Sequence, residues 1–138
     1  MKLLTVKGCN NILSCDQCQK EIQSLYGGHP ESNGYLNRLE QKLITLDQSF
    51  IGDLLHLKSF ESLSGRDNLY SIRRPESKGN PRVLFFSVIE TNEEPLYILL
   101  AAFHEHKSAD YRRWIDVAEN RKKTALMLAK QLIEQQEV

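Results

Sequence analysis

Apolar positions along this chain follow two rhythms. Leu36, Leu39, Leu43, Leu46 and Phe50 step by three and four, the spacing of one helix face, and predict an amphipathic helix over residues 35–50 with Asn33 as its cap. Ile12, Leu13, Cys15, Cys18, Ile22 and Leu25 fit a similar stripe, so residues 11–26 read as an earlier helix that Gly27-Gly28-His29-Pro30 ends. Leu3 to Val6 reads as a short strand before it. Residues 52–65 space their leucines irregularly and read as a connection packed on the core.

Beyond residue 65 the pattern changes to strands. Residues 69–74, 82–89 and 96–103 are rich in β-branched, aromatic and leucine side chains, and the two segments between them are short and full of turn formers. Connectors that short predict an antiparallel meander, because parallel neighbours need a crossover of a dozen or more residues. The third strand is apolar on both alternating sets, so both its faces should be covered and it should lie at the centre. From Ser108, a predicted cap, the stripe Tyr111, Trp114, Ile115, Ala118, Ala125, Leu128, Ala129, Leu132 and Ile133 predicts a helix running to the C-terminus. Arg121-Lys122-Lys123 interrupts it and reads as a solvated face.

The expected fold is therefore α+β. An N-terminal helical hairpin packs on a small, mainly antiparallel sheet, and a long C-terminal helix follows. With 138 residues the chain fits a single domain. Residues 1–34 form an N-terminal extension, 35–107 the core helix and meander, and 108–138 the last helix.

Charge narrows the partners. Lysine plus arginine and aspartate plus glutamate both count 18, so no global field favours nucleic acid or membrane, and a charged partner must meet a local patch. No apolar run approaches membrane-spanning length and the N-terminal run is too short for a secretory signal, so the expected location is the cytoplasm, with no membrane partner. Cys15-Asp16-Gln17-Cys18, with Cys9 and His29, could supply four zinc ligands. The second CxxC or HxxxH of a zinc ribbon or finger is missing, and no strand-like run precedes the motif as in a thioredoxin site. The cysteines are read as small residues on a buried helix face, with no metal and no cofactor expected.

Topology then gathers polar groups. If the strands run antiparallel, Arg73 and Arg74 at the end of the first meet Arg82 at the start of the second, with Lys78 in the hairpin. The third strand returns to that same end and emits His104-Glu105-His106-Lys107. Guanidinium groups can hold a phosphate bidentately and stabilise the charge that grows on a pentacoordinate transition state. Imidazoles can take a proton from a 2′-hydroxyl or give one to the leaving oxygen. On extended backbone, His104 and His106 point to one face and Glu105 and Lys107 to the other. The same residues also fit a plainer role, as surface histidines at a strand end and arginines that blunt a sheet edge.

The succession Leu69-Tyr70-Ser71-Ile72-Arg73, Arg82-Val83-Leu84-Phe85-Phe86 and Ala102-Phe103-His104-Glu105-His106-Lys107 resembles the RelE/ParE superfamily of bacterial toxins, close to its HigB-like and phage-derived branches. The resemblance spans about residues 35–123. It implies the toxin of a type II toxin-antitoxin pair, commonly an mRNA endoribonuclease that cuts at the ribosome and is held inactive by a cognate antitoxin. Its partners would be antitoxin, mRNA and ribosome, and its assembly a homodimer or a toxin-antitoxin hetero-oligomer. Arg73 and Arg82 match the family's phosphate-binding arginines, and His104 and His106 fall where members place acid-base groups. Arg74, Lys78, Lys107, Arg112 and Arg113 would position RNA backbone. Two alternatives stay open: a ParE-like toxin directed at gyrase, and a non-catalytic phage-borne relative acting as a protein-binding module.

Overall fold

The strand at residues 96–104 organises the molecule. In the computed structural model, which describes residues 1–26, 32–73, 81–88 and 94–136, this strand is buried from Tyr97 to Phe103. Six strands form one mixed sheet among the described residues: β1 (Leu3–Thr5), β2 (Ile12–Cys15), β3 (Phe60–Ser62), β4 (Tyr70–Arg73), β5 (Pro81–Val88) and β6 (Leu96–His104). Their order is β1-β2-β6-β5-β4-β3, so β6 lies inside the sheet. β4, β5 and β6 pair antiparallel, as the short connectors require, and β2 lies parallel to β6.

Helices cover both faces, which explains the absence of alternation in β6. On one face, Tyr97, Leu99 and Ala102 join Ile72, Val83 and Phe85 under residues of α1 (Asp16–Tyr26) and α2 (Ser32–Asp47). On the other, Ile98, Leu100, Ala101 and Phe103 join Leu84 and Phe86 under α3 (Ser108–Gln136), whose Ile115, Ala118, Ala125 and Ala129 are buried. The small residues of α3 let the helix lie close to the sheet. Truncating Leu99 or Leu100 to alanine in such a setting costs about 2–5 kcal/mol.

Two segments differ from the sequence reading. Residues 12–15 are a strand, and the helix begins only at Asp16. Local spacing there fits a helix, but Ile12, Leu13 and Ser14 pair with Tyr97, Ile98 and Leu99, and tertiary pairing overrides the local preference. The CxxC thus does follow a strand. Leu3–Thr5 and Ile12–Cys15 extend the sheet beyond the meander. Within 52–65, Phe60–Ser62 pairs with β4 as an edge strand. The turn between them places Gly65 at φ 76° and Asn68 at φ 50°. Glycine takes that left-handed conformation without a Cβ penalty, and asparagine tolerates it. The connection between α1 and α2 lies outside the described residues.

Side chains lock the loops onto this frame. The Asp47 carboxylate accepts the backbone N–H of Asn10 at 3.0 Å and of Asn11 at 2.5 Å, which fixes the entry to β2. The Tyr97 hydroxyl, buried, accepts the Ile51 N–H and donates to the Ser49 carbonyl, both at 2.8 Å, and so ties the end of α2 to the central strand. No helix among the described residues is long and apolar enough to cross a membrane.

Candidate functional site

The arginine pair is built by strand register. Arg73 on β4 stands directly opposite Arg82 on β5, so both side chains project from the same face. Two neighbouring guanidinium groups repel unless anions separate them, and Glu61 of β3 does so. Its Oε1 accepts from Arg82 Nη1 at 2.6 Å, and its Oε2 lies 3.5 Å from Arg73 Nη1. Arg73 also donates through Nε to the Lys58 carbonyl at 2.7 Å. Arg82 donates through Nε to Glu105 Oε2 at 2.7 Å. Its guanidinium lies 4.6 Å from the centre of the Tyr111 ring, a cation–π contact that α3 supplies. The Tyr111 hydroxyl donates to Glu61 Oε1 at 2.9 Å. Burial holds that phenol well above its ordinary range, and the bond to the Glu61 carboxylate raises it further.

The histidines reach the same end of the sheet. His104 is the register partner of Pro81, one residue from Arg82. Its side chain lies on the opposite face, because Phe103 packs under α3 and His104 follows it. His104 and His106 stack with ring centroids 5.8 Å apart. Both line a cleft of about 430 Å³ together with Glu21 and Leu25 of α1 and Asp110 and Trp114 of α3. Glu105 between them turns back to Arg82, so the chain wraps over the strand end with a carboxylate on one side and two imidazoles on the other.

Of the proposed RNA-positioning residues, Lys107, Arg112 and Arg113 are exposed around the start of α3, beside the tyrosine that covers Arg82. Arg74 and Lys78 lie outside the described residues, as does His29. The helix start differs from expectation, since Ser108 is already helical. Asp110 in the first turn instead accepts the Lys107 N–H at 3.1 Å, and Asp110 N–H donates to the Lys107 carbonyl at 3.0 Å.

The cysteines are placed for packing. Cys15 and Cys18 are fully buried in the core under α1 and α2. Burial raises the Cys15 thiol and raises that of Cys18 further, and it pushes Cys9 up to about 11 with the Asp47 carboxylate adding to the effect. Among the described residues no three histidine, cysteine or acidic side chains are grouped to hold a metal ion.

Two groups escaped the sequence reading. Arg121 is not on a solvated face: it pairs with Glu21 of α1, Nη1 to Oε1 at 2.8 Å and Nη2 to Oε2 at 2.8 Å, with side chains 19% and 20% exposed. Its neighbour Lys122 donates to the Asp67 carbonyl at 2.7 Å. A signal for this pair was present, because Ala118, Arg121 and Ala125 share helical spacing, as do Cys18, Glu21 and Leu25, so each charge sits within a buried stripe. Glu61 and Tyr111 gave no such signal, because their roles depend on β3, which the spacing concealed. Compared with protein-family models, with curated proteins and with solved structures, the chain matches none.

Proposed function

We propose that this protein is the toxin component of a type II toxin-antitoxin pair, a metal-independent mRNA endoribonuclease of RelE/ParE type that acts on the ribosome. One observation carries the reading: Arg82, opposite Arg73, is bonded directly to the residue that His104 and His106 flank. Groups able to bind phosphate and groups able to move protons therefore share one end of the sheet, the arginines on one face and His104 on the other. After β1 and β2, the order of two helices, four antiparallel strands and a terminal helix supports the resemblance, which implies helices, an antiparallel run of strands and a last helix.

In this reading the scissile phosphate displaces the carboxylates from Arg82 and Arg73. A phosphodiester gains negative charge as it becomes pentacoordinate, so a guanidinium fork stabilises the transition state more than the ground state. The ribose supplies the nucleophile. His104 lies across the strand end from Arg82, so the segment at Glu105 must shift for one imidazole to take the proton of the 2′-hydroxyl and the other to protonate the departing 5′-oxygen. Lys107, Arg112 and Arg113 hold flanking phosphates. The cognate antitoxin suppresses this activity.

Induced expression tests the proposal. Growth should stop and transcripts should shorten in cells making the parent protein, while Arg82→Ala, folded by circular dichroism, should do neither. A folded Arg82→Ala variant as toxic as its parent rejects the mechanism, and DNA-damage signals with intact mRNA point to the gyrase-directed alternative. A second reading has its own observation. Glu61 and Glu105 already balance Arg73 and Arg82, charge for charge, as they would in a non-catalytic module that binds a protein partner through this rim. That module would leave growth and mRNA intact.

A further inference from the structure

Strand β6 does not alternate throughout. Phe85 stands opposite Leu99 and Leu84 opposite Ala101, so Leu100 has no partner on β5 and forms a bulge. Leu100 and Ala101 consequently pack on the same face, and every residue after them is inverted relative to an unbroken strand. Without the bulge, His104 would face Arg82 and Glu105 would face α1. With it, Arg82 meets the Glu105 carboxylate and His104 lines the cleft beside α1.

The bulge lies where the β2–β6 ladder has ended, since Ser14 opposite Leu99 is its last pair. The outer edge of β6 therefore needs other partners. The Glu21–Arg121 pair supplies them: Ala102 N–H donates to Glu21 Oε1 at 3.2 Å, and Arg121 Nη1 donates to the Leu100 carbonyl at 2.9 Å. The Cys15 thiol donates to the same carbonyl at 3.3 Å. A strand edge so satisfied has no reason to slip, whereas an unpaired carbonyl and amide at this depth would favour another register.

We infer that Glu21 and Arg121 are positioning residues that hold the β6 bulge and thereby determine that Glu105, not His104, is presented to Arg82. The inference concerns side-chain presentation and stands independently of what the rim acts on. Arginine is required because its planar fork serves both Glu21 oxygens and the Leu100 carbonyl together, which a lysine ammonium cannot do in that geometry.

Nuclear magnetic resonance on the full labelled chain tests it with Arg121→Lys and Glu21→Gln. In Arg121→Lys, exchange of the Ala102 amide should quicken at least about tenfold while Ile98 and Phe85 amides keep their protection. The Arg82 Nε–H signal, protected by Glu105 on the far face, should weaken in the same variant. Glu21→Gln keeps an acceptor for Ala102 and should show the smaller change at both probes. It also provides the test if the lysine variant fails to fold. Parental Ala102 and Arg82 signals in both variants overturn the inference. So does equal acceleration at Ile98 and Phe85, which would make the pair a general stability element. None of these readouts requires RNA cleavage, so loss of the toxin reading leaves the result interpretable.

Discussion

Arg82 and Arg121 look alike by burial and differ in what surrounds them. Their side chains are 12% and 19% exposed, and each is held by a carboxylate from another part of the chain. Arg121 is locked: both terminal nitrogens meet one carboxylate, and the pair also satisfies the Leu100 carbonyl and the Ala102 amide. Arg82 is held by Glu61 from an edge strand and by Glu105 just past a strand end. A buried ion pair that also carries backbone hydrogen bonds has a structural task. One whose partners sit at the periphery can exchange them for another anion.

The difference can be broken by substitution. Removing one partner of a buried pair strands the other charge, so Arg121→Met should lower the urea-unfolding free energy by about 3–5 kcal/mol. Arg82→Met should cost less than half of that, because Glu61 and Glu105 can turn to solvent. Equal losses in the two variants would erase the distinction. The double variant Glu21→Leu/Arg121→Met sharpens it: the stranded charge is gone, but the Ala102 amide is left unpaired and the Leu100 carbonyl keeps only the Cys15 thiol, so a deficit of about 1–3 kcal/mol should persist.

Tyr111→Phe probes the rim more gently. It removes one hydrogen bond to Glu61 and leaves the ring over Arg82, so a loss of about 1 kcal/mol is expected in the same unfolding measurement. A larger loss would mean that the rim, too, is a structural lock.

The smallest effect is one of pH. Burial raises the Cys9 thiol from its ordinary 9.0 to about 11, so the folded chain retains a proton that the unfolded chain gives up sooner. Stability from this source is complete below pH 9 and declines as pH rises toward 11, since the unfolded state then binds fewer protons. Melting temperature should fall over that window, and Cys9→Ala should flatten the decline. Cys15 and Cys18 shift in the same direction and add to the decline.

How much of this the sequence revealed follows from the range of the interactions. The three later strands and α3 were legible because turn-forming connectors and apolar runs are local signals. The Arg73–Arg82 juxtaposition followed from the antiparallel meander alone. The strand at residues 12–15 was not legible, because Ile12, Leu13, Cys15 and Cys18 suit a helix face as well as they suit β6. Nor was the bulge, for no glycine or proline marks it between Leu96 and His104. Without the bulge the histidines and arginines were expected at one rim. They share the strand end but face opposite ways, and Glu105 makes the link between them.

The most direct test of the central claim uses purified protein in a translating extract programmed with one defined mRNA. The parent should produce discrete cuts, and Arg82→Ala, with a circular dichroism spectrum like the parent's, should cut about 100- to 1,000-fold more slowly, the usual cost of losing one preorganised charge donor. Cutting by Arg82→Ala at the parental rate would contradict the account.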